Sequence, residues 1–191
     1  MKRIFLVAIS VLVFGFANAQ KTRFGVKGGL NIATIGGAEE AKASALIGFQ
    51  VGGFAEINVW KKFFIQPELL FSAQGAKFEY DGARDFKINL NYINIPVLAK
   101  YYITKEFTVE AGPQLGFLVS SKNISNENSI DLGFNLGAGY NFTDNFSVGI
   151  RYTIGLSDVY EYANNDDIDG FGFYDGGHTN NVLALTAAYK F

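Results

Sequence analysis

The segment that decides the fold is IDLGFNLGAGYNFTDNFSVGIRYTIGL, residues 130–156, because its side chains alternate in character. The even positions up to 142 carry Ile, Leu, Phe, Ala and Tyr, while the odd positions carry Asp, Gly and Asn. Bulky residues occupy the even positions again from 146 onwards. Successive side chains of a β-strand point to opposite faces, so this alternation predicts strands with one bulky face. Only Thr143, Asp144 and Asn145 separate the two halves, which predicts an antiparallel hairpin.

The same alternation runs through most of the chain after residue 20, where no apolar run of helical length appears. It predicts eight strands, near 22–32, 46–58, 63–79, 88–103, 107–121, 129–142, 146–157 and 181–191. The connections alternate in kind, with short ones near 59–62, 104–106 and 143–145 and longer polar ones near 33–45, 80–87, 122–128 and 158–180. An up-and-down sheet with short turns at one end and long loops at the other is typical of an outer-membrane barrel.

Composition is consistent with a single membrane-embedded domain. Of the 191 residues, 49% are hydrophobic and 18% are charged, below the usual quarter. The chain is long enough for one closed sheet. The sequence contains no cysteine, which excludes disulfides, a thiolate metal site and a lipid anchor on cysteine.

The first nineteen residues have the pattern of a secretory signal. Lys2 and Arg3 precede an apolar run at 4–16, and Ala17-Asn18-Ala19 forms a small-x-small cleavage pattern. A run of this length is too short to span a bilayer, which needs about 20 residues. We therefore predict a cleaved signal peptide at 1–19 and a barrel domain at 20–191. Without Lys2 and Arg3, the 16 basic residues become 14 against 18 acidic ones, a formal net charge of −4 that argues against a nucleic-acid partner.

The direction of the bulky face separates a membrane barrel from a soluble one. A lipocalin-like soluble carrier also has eight strands, but its apolar face would point inward. The interior of an eight-stranded barrel is barely wide enough for side chains, and here the opposite face carries mainly Gly, Ser, Asn, Thr and Gln. A solvated exterior would instead carry many Lys and Glu residues. The bulky face is therefore predicted to contact lipid.

Charged residues within the strands support this orientation, because eight of them lie on the small-residue face. Facing lipid, basic residues would cost about 2–4 kcal/mol each at the bilayer midplane. We therefore predict that they line the lumen of a closed barrel, since lipid does not tolerate an open sheet edge. Four acids and four bases are expected to form a paired plug, with a narrow ion or solute channel as the alternative. These predicted lumenal charges are Lys27, Glu56, Glu68, Lys100, Glu110, Asp131, Arg151 and Lys190.

Aromatic residues cluster beside the short turns and at the end of the last strand. Such residues are typical of the interfacial belt of a membrane barrel, here at the periplasmic rim. The predicted belt comprises Trp60, Phe63, Tyr101, Phe107, Tyr140, Phe142, Phe146, Tyr189 and Phe191.

Several segments together resemble the PorT-like family of small outer-membrane β-barrels from Bacteroidetes-type bacteria. They are FGVKGGLNIA (24–33), QPELLFSAQGAKF (66–78), LNYINIPVLAKYY (90–102), AGPQLGFLV (111–119), DLGFNLGAGYNF (131–142) and LALTAAYKF (183–191).

This resemblance implies an eight-stranded antiparallel up-and-down transmembrane barrel of the OmpA/OmpX type in the cell outer membrane. It implies that Tyr189 and Phe191 belong to a final-strand signal read by the barrel-assembly machinery during insertion into outer-membrane lipid. It brings no catalytic residue and no cofactor, and some relatives are associated with a protein-secretion apparatus. The expected role is a non-enzymatic structural or interaction protein, with an envelope protein as a possible partner and a porin-like channel as the alternative.

The acidic loop at 158–180 contains the remaining chemical candidates. Asn165-x-Asp167-x-Asp169-Gly170 resembles the first half of a calcium loop, with Asp166 beside it, but its twelfth position is Gly176 instead of the required Glu. A weak calcium site and a solvated acidic loop both fit. His178, the single histidine, lies near Asp175, so a catalytic dyad is conceivable, although a lone loop histidine is usually solvated. No catalytic, cofactor or metal residue is therefore predicted beyond weak candidates at Asp166, Asp167 and Asp169.

Overall fold

The computed structural model describes residues 22–35, 42–79, 86–122, 130–157 and 179–191. They form the eight predicted strands in an all-antiparallel sheet. No helix long and apolar enough to cross a membrane occurs among these residues. The strands are β1 (Thr22–Ile35), β2 (Lys42–Trp60), β3 (Phe63–Glu79), β4 (Phe86–Tyr102), β5 (Phe107–Lys122), β6 (Ile130–Asn141), β7 (Phe146–Gly155) and β8 (Asn180–Lys190).

The sheet closes into a barrel in which each strand pairs with its neighbours in sequence and β8 pairs with β1. The closing ladder runs from Gly25 opposite Lys190 to Ile35 opposite Asn180. Beyond it, the Phe191 N–H donates a hydrogen bond of 2.9 Å to the carbonyl of Phe24. Closure gives every strand two neighbours, as lipid requires of a sheet. The predicted fold is therefore confirmed.

Two strands are longer than the alternation predicts. β1 continues to Ile35 and β2 begins at Lys42, where the sequence predicts strand limits near 32 and 46. The extra residues of β2 pair with the end of β3, with Lys42 opposite Glu79. Backbone pairing continues there without apolar alternation, because hydrogen bonding between strands does not depend on a bulky face.

The two faces of the sheet differ as predicted in their main features. Large apolar side chains are exposed on the outside, including Leu30, Ile150 and Leu185, while amide, hydroxyl and charged side chains are buried inside. Several large residues depart from this division because they are buried in the lumen, namely Phe54, Leu70, Leu90, Tyr92 and Leu98.

Inward glycines make room for these large residues. A Cβ atom on Gly25 would collide with the ring of Phe54, and one on Gly116 would lie 3.4 Å from Cδ1 of Tyr92. A narrow barrel can therefore hold an inward aromatic ring where a neighbouring strand presents no side chain. The sequence-based division into bulky and small faces misses this local compensation.

The charged lumen as candidate functional site

Four charged residues from alternate strands meet in the middle of the lumen and form the central cluster: Lys27 of β1, Glu68 of β3, Glu110 of β5 and Arg151 of β7. The ammonium of Lys27 donates to Oε1 of Glu68 at 2.6 Å. The guanidinium of Arg151 donates to both oxygens of Glu68 at 2.8 and 2.9 Å, and to Oε1 of Glu110 at 2.5 and 2.8 Å. Two cations and two carboxylates balance formally.

The local sequence leaves space for this cluster. Gly137 of β6 lies beside Glu110, and a Cβ atom there would be 3.1 Å from both Cγ and Oε1 of the glutamate. The lumenal face of β6 and β7 is composed largely of glycine and small polar residues. Long charged side chains from the other strands can therefore cross the barrel and meet near its axis.

A second group lies at the short-turn end and forms the rim cluster: Arg23, Glu56, Lys100, Tyr102 and Lys190. Glu56 is its single carboxylate, paired with Arg23 at 2.5 Å and with Lys100 at 3.1 Å. The Tyr102 hydroxyl donates to the Glu56 carboxylate at 2.9 Å and accepts from Lys190 at 3.3 Å. Three cations thus surround one anion, which leaves the rim cluster with a formal charge of +2.

Gln66 connects the two clusters. Its amide oxygen accepts from Lys100 at 3.0 Å, and its amide nitrogen donates to Glu68 at 2.6 Å. The side chain is 1% exposed. A continuous polar network therefore runs from the rim to the barrel centre.

The opposite half of the lumen carries mostly amide and hydroxyl groups. Asp131 accepts from the hydroxyl of Ser157 at 2.7 Å and forms no ion pair within the described part of the chain. Next to it, neutral side chains hydrogen-bond one another in sequence. These bonds join Asn180 to Gln74 at 2.5 Å, Gln74 to Ser72 at 2.8 Å and Asn31 to Ser72 at 2.8 Å.

One small cavity lies between the two clusters, with a volume of about 20 Å³. Its charged lining comprises Lys27, Lys100, Glu110 and Lys190. Such a volume is enough for about one water molecule. Gln66, which joins the two clusters, and Phe54 also line this cavity.

All eight charged residues predicted for the lumen lie on the inward face, but they do not form one neutral set. Lys27, Glu68, Glu110 and Arg151 meet in the centre, while Glu56, Lys100 and Lys190 meet at the rim. Asp131 lies apart from both clusters.

Three members of the network were not predicted from the sequence, namely Arg23, Gln66 and Tyr102. Arg23 occupies an odd position of β1, like Lys27. Gln66 and Tyr102 occupy even positions of β3 and β4, like Glu68 and Lys100. The odd or even position within each strand could therefore have identified all three side chains as lumenal.

The aromatic belt lies at the short-turn end. Trp60 is 69% exposed and Phe142 is 61% exposed, whereas Phe63 is half-buried. Ring centroids are 5.0 Å apart for Tyr140 and Phe142 and 5.8 Å apart for Tyr189 and Phe191.

The turn at 103–106 shows how a short connection is ordered. The Thr104 hydroxyl accepts from the backbone N–H groups of Glu106 and Phe107, at 3.2 and 3.0 Å. The same hydroxyl donates to the Glu106 carboxylate at 2.9 Å, and this bond lowers the pKa of that carboxyl below its usual value. These bonds hold the turn without a glycine.

Other predicted residues lie outside the described part of the chain. They comprise the signal peptide at 1–19, the calcium candidates Asp166, Asp167 and Asp169, and His178. Within the described residues, no group of three or more acidic or histidine side chains could hold a metal ion.

The chain is similar to several solved structures of outer-membrane barrels. Ail of Yersinia pestis, crystallised with the heparin analogue sucrose octasulfate, is 15% identical, with a TM-score of 0.51 over 90% of this chain and 99% of Ail. OprG of Pseudomonas aeruginosa is 14% identical, with a TM-score of 0.49 over 90% of this chain and 96% of OprG. Neisserial surface protein A is 17% identical, with a TM-score of 0.47 over 88% and 97% of the two chains. At such low sequence identities, the similarity shows the fold alone. A search of curated protein sequences finds no match.

A family model gives the stronger assignment. Residues 17–161 match the family described as outer membrane protein beta-barrel domain. The match agrees with the closed sheet and its apolar exterior, and the predicted location in the outer membrane is confirmed. The chain therefore belongs to the outer membrane protein beta-barrel domain family and is an integral protein of the outer membrane.

Proposed function

We propose that this protein is a non-enzymatic barrel with a closed lumen, whose role is structural or interactive. One observation carries the proposal: Arg151 crosses the lumen and binds Glu68 and Glu110 at the same time. Its side chain is 5% exposed, and that of Glu68 is fully buried.

Energetics favour a lumen that stays closed. Removing one partner of a buried ion pair costs about 3–5 kcal/mol, because the other charge is left without compensation. A solute passing the central cluster would have to separate Arg151 from two carboxylates and Lys27 from one. The small volume of the neighbouring cavity gives these side chains little room to move aside.

A closed barrel would act through its two ends. The short turns present Lys61, Lys62 and Lys105 beside the aromatic belt, against Glu106 and Asp144, and this small excess of basic residues suits an acidic partner protein in the envelope. The PorT-like resemblance extends this proposal to a larger envelope or secretion assembly. We propose that Tyr189 and Phe191, both exposed at the end of the closing strand, engage the barrel-assembly machinery during insertion.

Planar-bilayer recording of the purified mature chain tests the closed lumen. The unaltered protein should show no defined conductance steps. The double variant Glu68→Ala/Arg151→Ala should conduct, because it removes the side chains that cross the barrel axis. Lys62→Ala, on an exposed turn, is the matched control and should remain silent. Steady, defined steps in the unaltered protein would contradict the proposal.

Such steps would favour the second candidate, a narrow channel for small solutes or ions. The observation that supports this alternative is that buried polar side chains extend through the lumen, from Glu56 near the rim to Asn180 at the opposite end, although several large apolar residues lie among them. Migration of mildly solubilised outer membranes on a gel, unboiled and boiled, would then show whether the chain runs alone or within an assembly.

A further inference from the structure

We propose that the cavity between the central and rim clusters binds one small monatomic anion of the halide class, with chloride as the natural candidate. The site is built by Lys27, Lys100 and Lys190, three lysines that line this cavity together.

The charge balance of the short-turn half of the lumen calls for an anion. Its cations exceed its carboxylates by two, and by one among the buried groups, because the Arg23 side chain is 37% exposed and reaches solvent. Asp131 lies near the long connections and outside the network. The cations are Arg23, Lys27, Lys100, Arg151 and Lys190, and the carboxylates are Glu56, Glu68 and Glu110.

The three lysines are almost completely shielded from solvent, with 7%, 8% and 2% of Lys27, Lys100 and Lys190 exposed. An uncompensated buried charge is costly, so a group in this position acquires a counter-ion or loses its charge. Lys190 forms no ion pair within the described part of the chain. Its hydrogen bonds go to the Tyr102 hydroxyl at 3.3 Å and the amide oxygen of Asn141 at 2.9 Å, both neutral.

The ammonium groups keep donors for a ligand. Each lysine has three N–H donors. Lys27 has one hydrogen bond, to Glu68, while Lys100 donates to Gln66 and lies 3.1 Å from an oxygen of Glu56. An anion in the cavity would accept the remaining bonds and keep all three groups charged.

The cavity has the size and the walls for such an ion. Its volume of about 20 Å³ suits one atom or one water molecule. The hydroxyl of Ser147 adds a further donor, whereas those of Thr108 and Thr186 already donate to the carbonyls of Gly139 and Gly149 at 3.3 and 3.4 Å. Gly139, Gly149 and Ala188 keep the wall open. Glu110 is the single carboxylate in the lining, and its Oε1 is bound by Arg151.

Chloride dependence of unfolding tests the site in solution. The folded full-length mature barrel in detergent is titrated with sodium chloride, and sodium gluconate keeps the ionic strength constant. For a dissociation constant of about 30 mM, the unfolded-to-folded ratio should fall about tenfold by about 300 mM chloride, with saturation. Bromide should act similarly. A midpoint that does not respond to either halide would overturn the proposal.

Two variants separate the site from a general salt effect. Ala188→Val fills the cavity without altering any charge. The unfolding midpoint of this variant should therefore no longer depend on halide, and its midpoint in gluconate alone should change little. Lys62→Met, on an exposed turn, should keep the full dependence. Equal halide dependence in the unaltered protein and Ala188→Val would contradict binding in this cavity.

A direct readout does not depend on either variant folding. Crystals of the unaltered protein grown in bromide should show an anomalous peak between Lys27, Lys100 and Lys190. Ordinary water density there, or an empty cavity, would overturn the proposal.

Discussion

Gly52 in β2 lies where the backbone of β3 approaches very closely. A Cβ atom at this position would collide with the carbonyl oxygen of Leu69, a backbone atom that cannot turn aside. At the next residue, Gly53, a Cβ atom would lie at an ordinary 3.5 Å from the carbonyl oxygen of Gly25. The same side-chain addition therefore has different consequences at two adjacent positions.

Gly52→Ala should destabilise the barrel by about 1–3 kcal/mol, because the two strands must separate locally to admit the methyl group. Urea unfolding in lipid vesicles, followed by tryptophan fluorescence, measures the change. Gly53→Ala is the matched control and should leave stability unchanged or slightly higher, since alanine has less freedom to lose on folding. Equal effects at the two positions would show that this close approach does not constrain the barrel.

At the scale of the element, β8 alternates between lipid and lumen along its whole length. Leu185 and Tyr189 point outward and are each 49% exposed, although they differ in depth. Tyr189 pairs with Phe146 beside the turn at 142–145, while Leu185 lies four residues further along the strand, about 13 Å away. The two positions therefore separate the effect of depth from that of exposure.

Leu185→Arg should reduce the free energy of unfolding in lipid vesicles by about 2–4 kcal/mol, whereas Tyr189→Arg should cost only about 0–1 kcal/mol. The physical reason is that a guanidinium near the bilayer centre loses its hydration, while one at the interface keeps it. Reversible denaturant titration of both variants gives the comparison. A larger penalty at Tyr189 would place the bilayer differently along the strand.

Prolines add a second feature at the scale of the element. Pro67, Pro96 and Pro113 lie in the consecutive strands β3, β4 and β5, where each lacks the backbone N–H of a normal ladder. Pro67 pairs with Val97, the neighbour of Pro96, and Pro96 pairs with Gln114, the neighbour of Pro113, so the three prolines lie side by side across adjacent strands. The alternation of side chains does not reveal these missing hydrogen-bond donors, because proline removes a backbone N–H and leaves the two faces of the sheet unchanged.

At the scale of the whole molecule, the aromatic belt sets the position of the barrel in the bilayer. Trp60, the single tryptophan of the sequence, is 69% exposed at the short-turn end, and the ammonium of Lys61 lies 5.3 Å from its ring centroid. An indole next to a charged side chain is typical of the interface between headgroups and acyl chains.

Trp60 fluorescence should therefore be quenched more strongly by lipids brominated near the carbonyls than by lipids brominated near the acyl termini. Recording both in otherwise identical vesicles reports the depth of this one residue. Trp60→Phe supplies the background signal and should abolish the response. Stronger quenching by the deep bromines would mean that the short turns are not at the interface.

The sequence by itself determined the number of strands, their faces and the closure of the barrel. These properties follow from local rules: strand geometry fixes the period of two, and lipid excludes charges and open edges. The same rule, that alternate residues of a strand face the lumen, would have identified Arg23 and Tyr102 as lumenal. Strand limits such as the start of β2 at Lys42 were less predictable, because pairing continues beyond the apolar band.

Only the tertiary structure decided which charges meet. Arg151 binds Glu68 from 83 residues away, whereas Asp131, on the same lumenal face, has no cation within the described part of the chain. The odd or even position of a residue along its strand determines whether the side chain points into the barrel. The height and the angular position of that side chain depend on the registers of all eight ladders together. The balance of two carboxylates and two cations in the centre, and the excess of cations at the rim, therefore arise from closure.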